Sequence, residues 1–60
     1  MVKLRFIGAD GSMGLRYGEI YNVSIFSSGK YIVVEIYRGN SSYGCPYISL
    51  TKLCENWEDA

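Results

Sequence analysis

Two runs of alternating residues, separated by one short turn, constrain this chain more than any other feature. Glu19 to Phe26 places Tyr21, Val23 and Ile25 on one face and Asn22 and Ser24 on the other, which is the period-two pattern of a half-buried strand. Ser27-Ser28-Gly29 supplies a turn, and Lys30 to Arg38 continues as a run rich in β-branched and aromatic residues, the types that fit a pleated surface. Ile32, Val34 and Ile36 form one face of that run; Tyr31, Val33, Glu35 and Tyr37 form the other. The pair predicts a β-hairpin around a glycine-containing turn.

The flanking segments extend the β reading. Val2 to Ile7 alternates Val2, Leu4 and Phe6 with Lys3 and Arg5, a further strand with its apolar set inward. Gly8 to Gly14 holds three glycines and an Asp-Gly pair, so it is a loop with left-handed positions. Its apolar members Met13 and Leu15 either fold back onto the barrel edge or stand exposed for a partner. Gly39 to Gly44 reads as a second loop, and Cys45 to Ile48 as a short extended piece. Pro46 lacks a ladder donor and suits an edge strand.

From Ser49 the period changes to about 3.6, with Leu50, Leu53, Cys54 and Trp57 on one stripe. Ser49 is a suitable N-cap, although Lys52 stands where a capping box wants Glu. Two helical turns do not persist alone in water, so the stripe is expected to pack on the sheet. Trp57 then closes one end of the core, and Cys54 serves as a small buried hydrophobe. The fold expected is mainly β: a single domain, residues 1–60, forming a small SH3-like barrel of about four to five antiparallel strands with one short C-terminal helix. An open sheet with the helix laid across one face is the alternative.

Size and charge narrow the chemistry. Sixty residues bury only about 60% of the surface the unfolded chain exposes, which leaves little room for a cleft of roughly 300 Å³ and points away from an enzyme. Six basic and six acidic residues cancel, so the footprint that drives phosphate-backbone binding is missing. The sequence has no histidine, the commonest general base and metal ligand near neutral pH. Cys45 and Cys54 stand nine apart, a spacing that matches no zinc module. No cofactor, metal or catalytic residue is therefore expected. Lys3 and Arg5 interrupt any apolar run at the start of the chain, no stretch approaches a membrane span, and the thiols are expected to be reduced.

Several motifs are weak. Gly8, Gly11 and Gly14 resemble a phosphate-cradling loop, but neither G-K-[ST] nor G-x-G-x-x-G occurs. Asp10, Glu19 and Glu35 have no spacing that selects a catalytic pair. Tyrosine is the informative residue, with six in the chain. Tyr21 is placed inward, whereas Tyr31, Tyr37, Tyr43 and Tyr47 are expected to share the outer face or its rim. Exposed tyrosine offers large contact area at low entropy cost. Tyr31, Tyr37 and Tyr43, with Arg38 beside them, are the expected partner-binding residues. A small barrel that stacks bases on Tyr beside Arg5, Lys30 and Arg38 is the nucleic-acid alternative, and the neutral charge argues against it.

The pattern Gly14-Leu15-x-x-Gly18-x-x-Tyr21-x-Val23, followed by Pro46-Tyr47-x-Ser49-Leu50-x-x-Leu53-x-x-Asn56-Trp57, resembles small SH3-like barrel proteins encoded by phages and prophages of Gram-positive bacteria. The resemblance implies the cytoplasm of a bacterial host, reduced thiols and no catalytic machinery. It also implies a protein that binds and inhibits a host protein or ribonucleoprotein complex, as an anti-CRISPR protein blocks an RNA-guided nuclease. A phage structural or assembly accessory is a further implied role.

Overall fold

The central hairpin forms from β2 (Ile20–Ser28) and β3 (Tyr31–Arg38), in register from Ser28 opposite Tyr31 to Asn22 opposite Tyr37. The chain reverses through only two residues, Gly29 and Lys30, with Gly29 at φ 59°. A positive φ at the first central residue matches the twist of the flanking strands, and glycine adopts it without strain. β2 therefore runs through Ser27 and Ser28, which the sequence reading assigns to the turn.

The same device operates at Gly39-Asn40, where Gly39 has φ 57° and Arg38 lies opposite Ser41. β4 spans Ser41–Tyr47, so the expected Gly39–Gly44 loop is a two-residue turn followed by strand. Ser41 and Ser42 carry little strand propensity of their own. The tight turn delivers them to the open edge of β3, and the ladder recruits them. One consequence concerns two tyrosines: Tyr43 opposes Ile36 and Tyr47 opposes Ile32, so both lie on the core face, not on the outer face or its rim.

The computed structural model describes all residues from Met1 to Ala60. β1 (Val2–Phe6) and β5 (Trp57–Asp59) complete one antiparallel sheet in the order β4-β3-β2-β1-β5. A short helix, α1 (Leu50–Cys54), joins β4 to β5. The molecule is the small, mainly β, barrel-like fold expected, with five strands and one short helix. β4 is an edge strand, as Pro46 predicts. In a two-residue hairpin the residues flanking the turn bond each other, so the backbone of Pro46 faces away from β3, where a missing N–H costs nothing.

The helix is shorter than its stripe. Ser49 caps it by accepting from the Lys52 N–H at 3.2 Å, but the helix ends at Cys54 and buries only Leu53. Leu50 is 62% exposed and Cys54 is exposed, which corrects the expected burial of both. Trp57 belongs to β5, where it opposes Phe6. Helical packing of so few residues is weak, whereas β1 offers a strand edge with three pairing positions. The 3.6-residue spacing is thus coincident with a turn at Glu55-Asn56 that swings the indole inward.

Closure is made by side chains. The ladder order leaves β4 and β5 at opposite edges, and Trp57 Nε1 donates to the Tyr47 hydroxyl across them at 2.9 Å. Beneath this bond lie Phe6, Leu15, Val23, Val34, Ile36, Cys45, Leu53 and Trp57, the buried core. Gly8 is fixed by close approach, since a Cβ there would meet Phe6 Cζ at 2.6 Å and the Asn56 side chain.

The long β1–β2 loop folds back across the barrel. Leu15 is 1% exposed and plugs it, while Met13 stands 56% exposed. Tyr43 donates to the Met13 carbonyl at 3.2 Å and Arg38 to the Gly14 carbonyl at 3.3 Å. The Arg16 N–H donates to the Tyr21 hydroxyl at 3.0 Å. Two tyrosines and one arginine thus act as struts for a glycine-rich segment with few apolar contacts of its own.

Candidate interaction surface

The outer face is built from the residues whose side chains alternate away from the core. Across its upper half, cross-strand pairs align Phe26 with Val33 and Val33 with Pro46. Phe26 is 46% exposed, and Tyr31, at the end of the same hairpin, is 39% exposed. Gly44 lies beside Val33 and contributes no side chain, and a Cβ there would come 3.0 Å from Val33 Cγ1. The result is a row of apolar and aromatic groups over three strands, with the Lys30 ammonium 5.4 Å from the Tyr31 ring centroid.

A polar row follows. Tyr37 OH lies 3.0 Å from Glu35 Oε1 and 3.2 Å from Ser24 Oγ, and the Ser42 hydroxyl donates to Glu35 Oε2 at 3.3 Å. A phenol has one proton, so Tyr37 donates to the carboxylate, the stronger charge-assisted bond, and accepts from Ser24. Glu35 is thereby held in place on the sheet. Farther down, Arg5 pairs with Glu58 at 3.0 Å, and Ile20 stands exposed opposite Arg5.

The four residues expected to bind a partner do not form one patch. Tyr31 and Tyr37 share the outer face but lie six positions apart on β3, about 20 Å at strand rise. Arg38 and Tyr43 point to the other side. The Arg38 guanidinium sits 5.8 Å from the Tyr21 ring centroid, and both residues brace the β1–β2 loop. Their placement follows from strand parity, which the unrecognised start of β4 conceals at Tyr43. Phe26, Val33 and Pro46 are outer-face residues to which the sequence reading gives no contact role, although it places Val33 on that face. The signal was present in the alternation, because Phe26 has the parity of Ser24 and Asn22 and is therefore outward.

The three basic residues of the nucleic-acid alternative are dispersed. Arg5 is neutralised by Glu58 at the β5 end, Lys30 occupies the hairpin tip and Arg38 serves the loop on the opposite side. They make no continuous track for a phosphate backbone.

The two cysteines are free and differ in setting. Cys45 is 1% exposed, and burial raises its thiol above the ordinary 9.0, which keeps it protonated and a poor nucleophile. Cys54 lies in a shallow depression of about 420 Å³ with Leu50, Thr51 and Glu55. A disulfide-exchange reagent applied to the native protein is expected to titrate one thiol rapidly, and a second only on unfolding. Two rapid thiols would show that the Cys45 pocket opens readily; none before or after unfolding would show a disulfide.

Tyr47 is similarly perturbed. Desolvation raises its pKa above 10.0, the Trp57 hydrogen bond opposes that and Cys45 reinforces it. It is a structural phenol, not a reactive one.

No helix is long and apolar enough to cross a membrane. No family model, curated protein or solved structure matches the chain.

Proposed function

We propose that this chain is a non-enzymatic protein-binding domain whose contact surface is the outer face at the hairpin end, with Phe26 and Tyr31 as anchors. The observation that carries the reading is the outward Phe26–Val33–Pro46 row beside Tyr31, in which Phe26, Pro46 and Tyr31 are exposed and Val33 is half-buried. An apolar and aromatic centre bordered by a pre-ordered polar row is the anatomy of a protein contact. Tyr37, with Glu35, Ser24 and Ser42, forms that border. Arg38 and Tyr43 enter the reading as supports of the loop.

The resemblance to phage and prophage barrels supplies the target class. The target is a large host protein or ribonucleoprotein complex in the bacterial cytoplasm, an RNA-guided nuclease before others, which the domain blocks by occupying its surface. Nucleic acid is the competing ligand, and the wide separation of Arg5, Lys30 and Arg38 together with zero net charge favours protein.

The two readings separate on a polyanion resin. At low salt the domain is expected to pass through heparin and DNA columns unretained, while an immobilised copy captures a protein from a Gram-positive lysate treated with nuclease. Retention on both resins, released by salt, with nothing captured after nuclease treatment, would replace the protein reading with the nucleic-acid one.

A further inference from the structure

The sheet has a third open edge besides those of β4 and β5. β1 pairs with β2 only as far as Val2 opposite Val23, whereas β2 continues to Ser28. Ser24–Ser28 therefore has β3 on one side and no strand on the other. Ser28 and Tyr31 flank a two-residue turn and bond each other, so Ser28, Phe26 and Ser24 direct their backbone groups to β3. Ile25 and Ser27 direct theirs outward, where no strand receives them.

The three edges differ in protection. β4 carries Pro46, and β5 is three residues long with Glu58 and Asp59, both recognised ways of discouraging pairing. The β2 edge has no proline, no charged residue and no left-handed residue between Ser24 and Ser28. It also has apolar side chains on both faces, Ile25 being 47% and Phe26 46% exposed. Beside it lies a groove of about 270 Å³ lined by Met1, Val2, Val23, Ser24 and Ile25.

We propose that this edge pairs with the same edge of a second copy of the chain, as an antiparallel dimer with its two-fold axis at Phe26. The segment Ser24-Ile25-Phe26-Ser27-Ser28 is close to self-complementary in that arrangement. Phe26 faces the second copy's Phe26 and Ile25 faces its Ser27, while Ser24 stays beside Met1, where β1 begins. The outward backbone groups then coincide with the hydrogen-bonded pairs, Ile25 with Ser27 and Ser27 with Ile25, giving about four main-chain bonds. The Phe26 pair falls at a non-hydrogen-bonded position, where side chains approach most closely.

Three features select a second copy as the occupant. The absence of charge lets identical edges meet without repulsion, isologous contact needs only a self-complementary patch, and the Phe26–Val33–Pro46 row continues across the axis into its counterpart. A five-residue edge buries less than the roughly 1,200 Å² of a stable interface, so association is concentration-dependent. This inference stands apart from the proposed function, because the edge is used whether or not the outer face binds a host protein.

The test combines sedimentation velocity with amide exchange as concentration rises from micromolar to millimolar. The mass is expected to climb from 6.8 kDa toward twice that value. The Ile25 and Ser27 amides are expected to slow by about tenfold or more, while those of Ser24 and Phe26, already bonded to β3, stay unchanged. Ser27→Pro removes only an outward N–H and Phe26→Lys opposes two ammonium groups across the axis, so both are expected to remain at the monomer mass. Should either variant unfold, the parent's exchange pattern decides alone. A parent that stays monomeric at millimolar concentration overturns the proposal, and so does a dimer that leaves Ile25 and Ser27 unprotected. Protection that appears only on adding another protein assigns the edge to that partner instead.

Discussion

Trp57→Ala is expected to remove a large share of the stability of this domain. The indole is 2% exposed, its ring meets Phe6 edge-on at 5.1 Å and Tyr21 at 6.0 Å, and its N–H holds Tyr47 across the gap between the two edge strands. Truncating a buried Trp costs about 3–5 kcal/mol. A chain of this size has roughly 3–9 kcal/mol in total at typical stability per residue. At about 4–8 °C per kcal/mol, the melting temperature falls by more than about 12 °C. Trp57→Phe separates the two contributions, because it retains most of the packing and removes only the bond to Tyr47, worth about 1 kcal/mol. Thermal unfolding followed by circular dichroism checks both. A Trp57→Ala protein that melts like the parent would mean that the barrel does not close through this residue.

The second large effect is on binding. Phe26→Ser combined with Tyr31→Ala is expected to abolish capture of the proposed partner while the protein still unfolds cooperatively. Neither side chain belongs to the buried core, and changes at such surface positions typically cost about 0.5 kcal/mol or little more. A central aromatic anchor of an interface, in contrast, contributes about 2 kcal/mol or more, roughly thirtyfold in affinity. Ser27→Pro is the matched control, since it breaks the β2 edge and leaves the outer-face side chains untouched. Loss of binding in Ser27→Pro as well would mean that the partner engages the paired form. Undiminished binding by the double variant would move the contact to the loop side, where Met13 and Tyr17 are exposed.

The contrast between what the residues disclose and what they conceal has a physical origin. Val23, Val34 and Ile36 alternate with polar or outward residues and are buried, whereas Ile25 on the same face is 47% exposed because β1 ends beside Val23. A one-residue slip would expose the whole set, so register and core follow from the pattern. The first half of β4 is concealed because Ser41, Ser42 and Gly44 have no β signature, and only the two-residue turn at Gly39-Asn40 commits them to a strand. The C-terminal stripe misled for the opposite reason: Leu50, Leu53, Cys54 and Trp57 have helical spacing, but the free edge of β1 outcompetes a second helical turn. The surface suffered from both effects. Tyr43 reads as outward because the start of its strand carries no signal, and Phe26 closes a run whose other outward members are Asn22 and Ser24. Tyr31 and Tyr37 were placed on the correct face by parity alone. Aromatic content suggests a contact surface, and strand pairing decides which residues face outward.

The central claim is that the hairpin end of the outer face is where this domain meets its partner. It is tested most directly by quantitative mass spectrometry of what three immobilised proteins retain from one nuclease-treated Gram-positive lysate: the parent, Phe26→Ser with Tyr31→Ala, and Tyr17→Ser on the loop side. A host complex enriched by the parent and by Tyr17→Ser, and lost from the double variant, is the predicted result. The same complex retained by the double variant and lost from Tyr17→Ser would contradict the claim and place the contact on the β1–β2 loop.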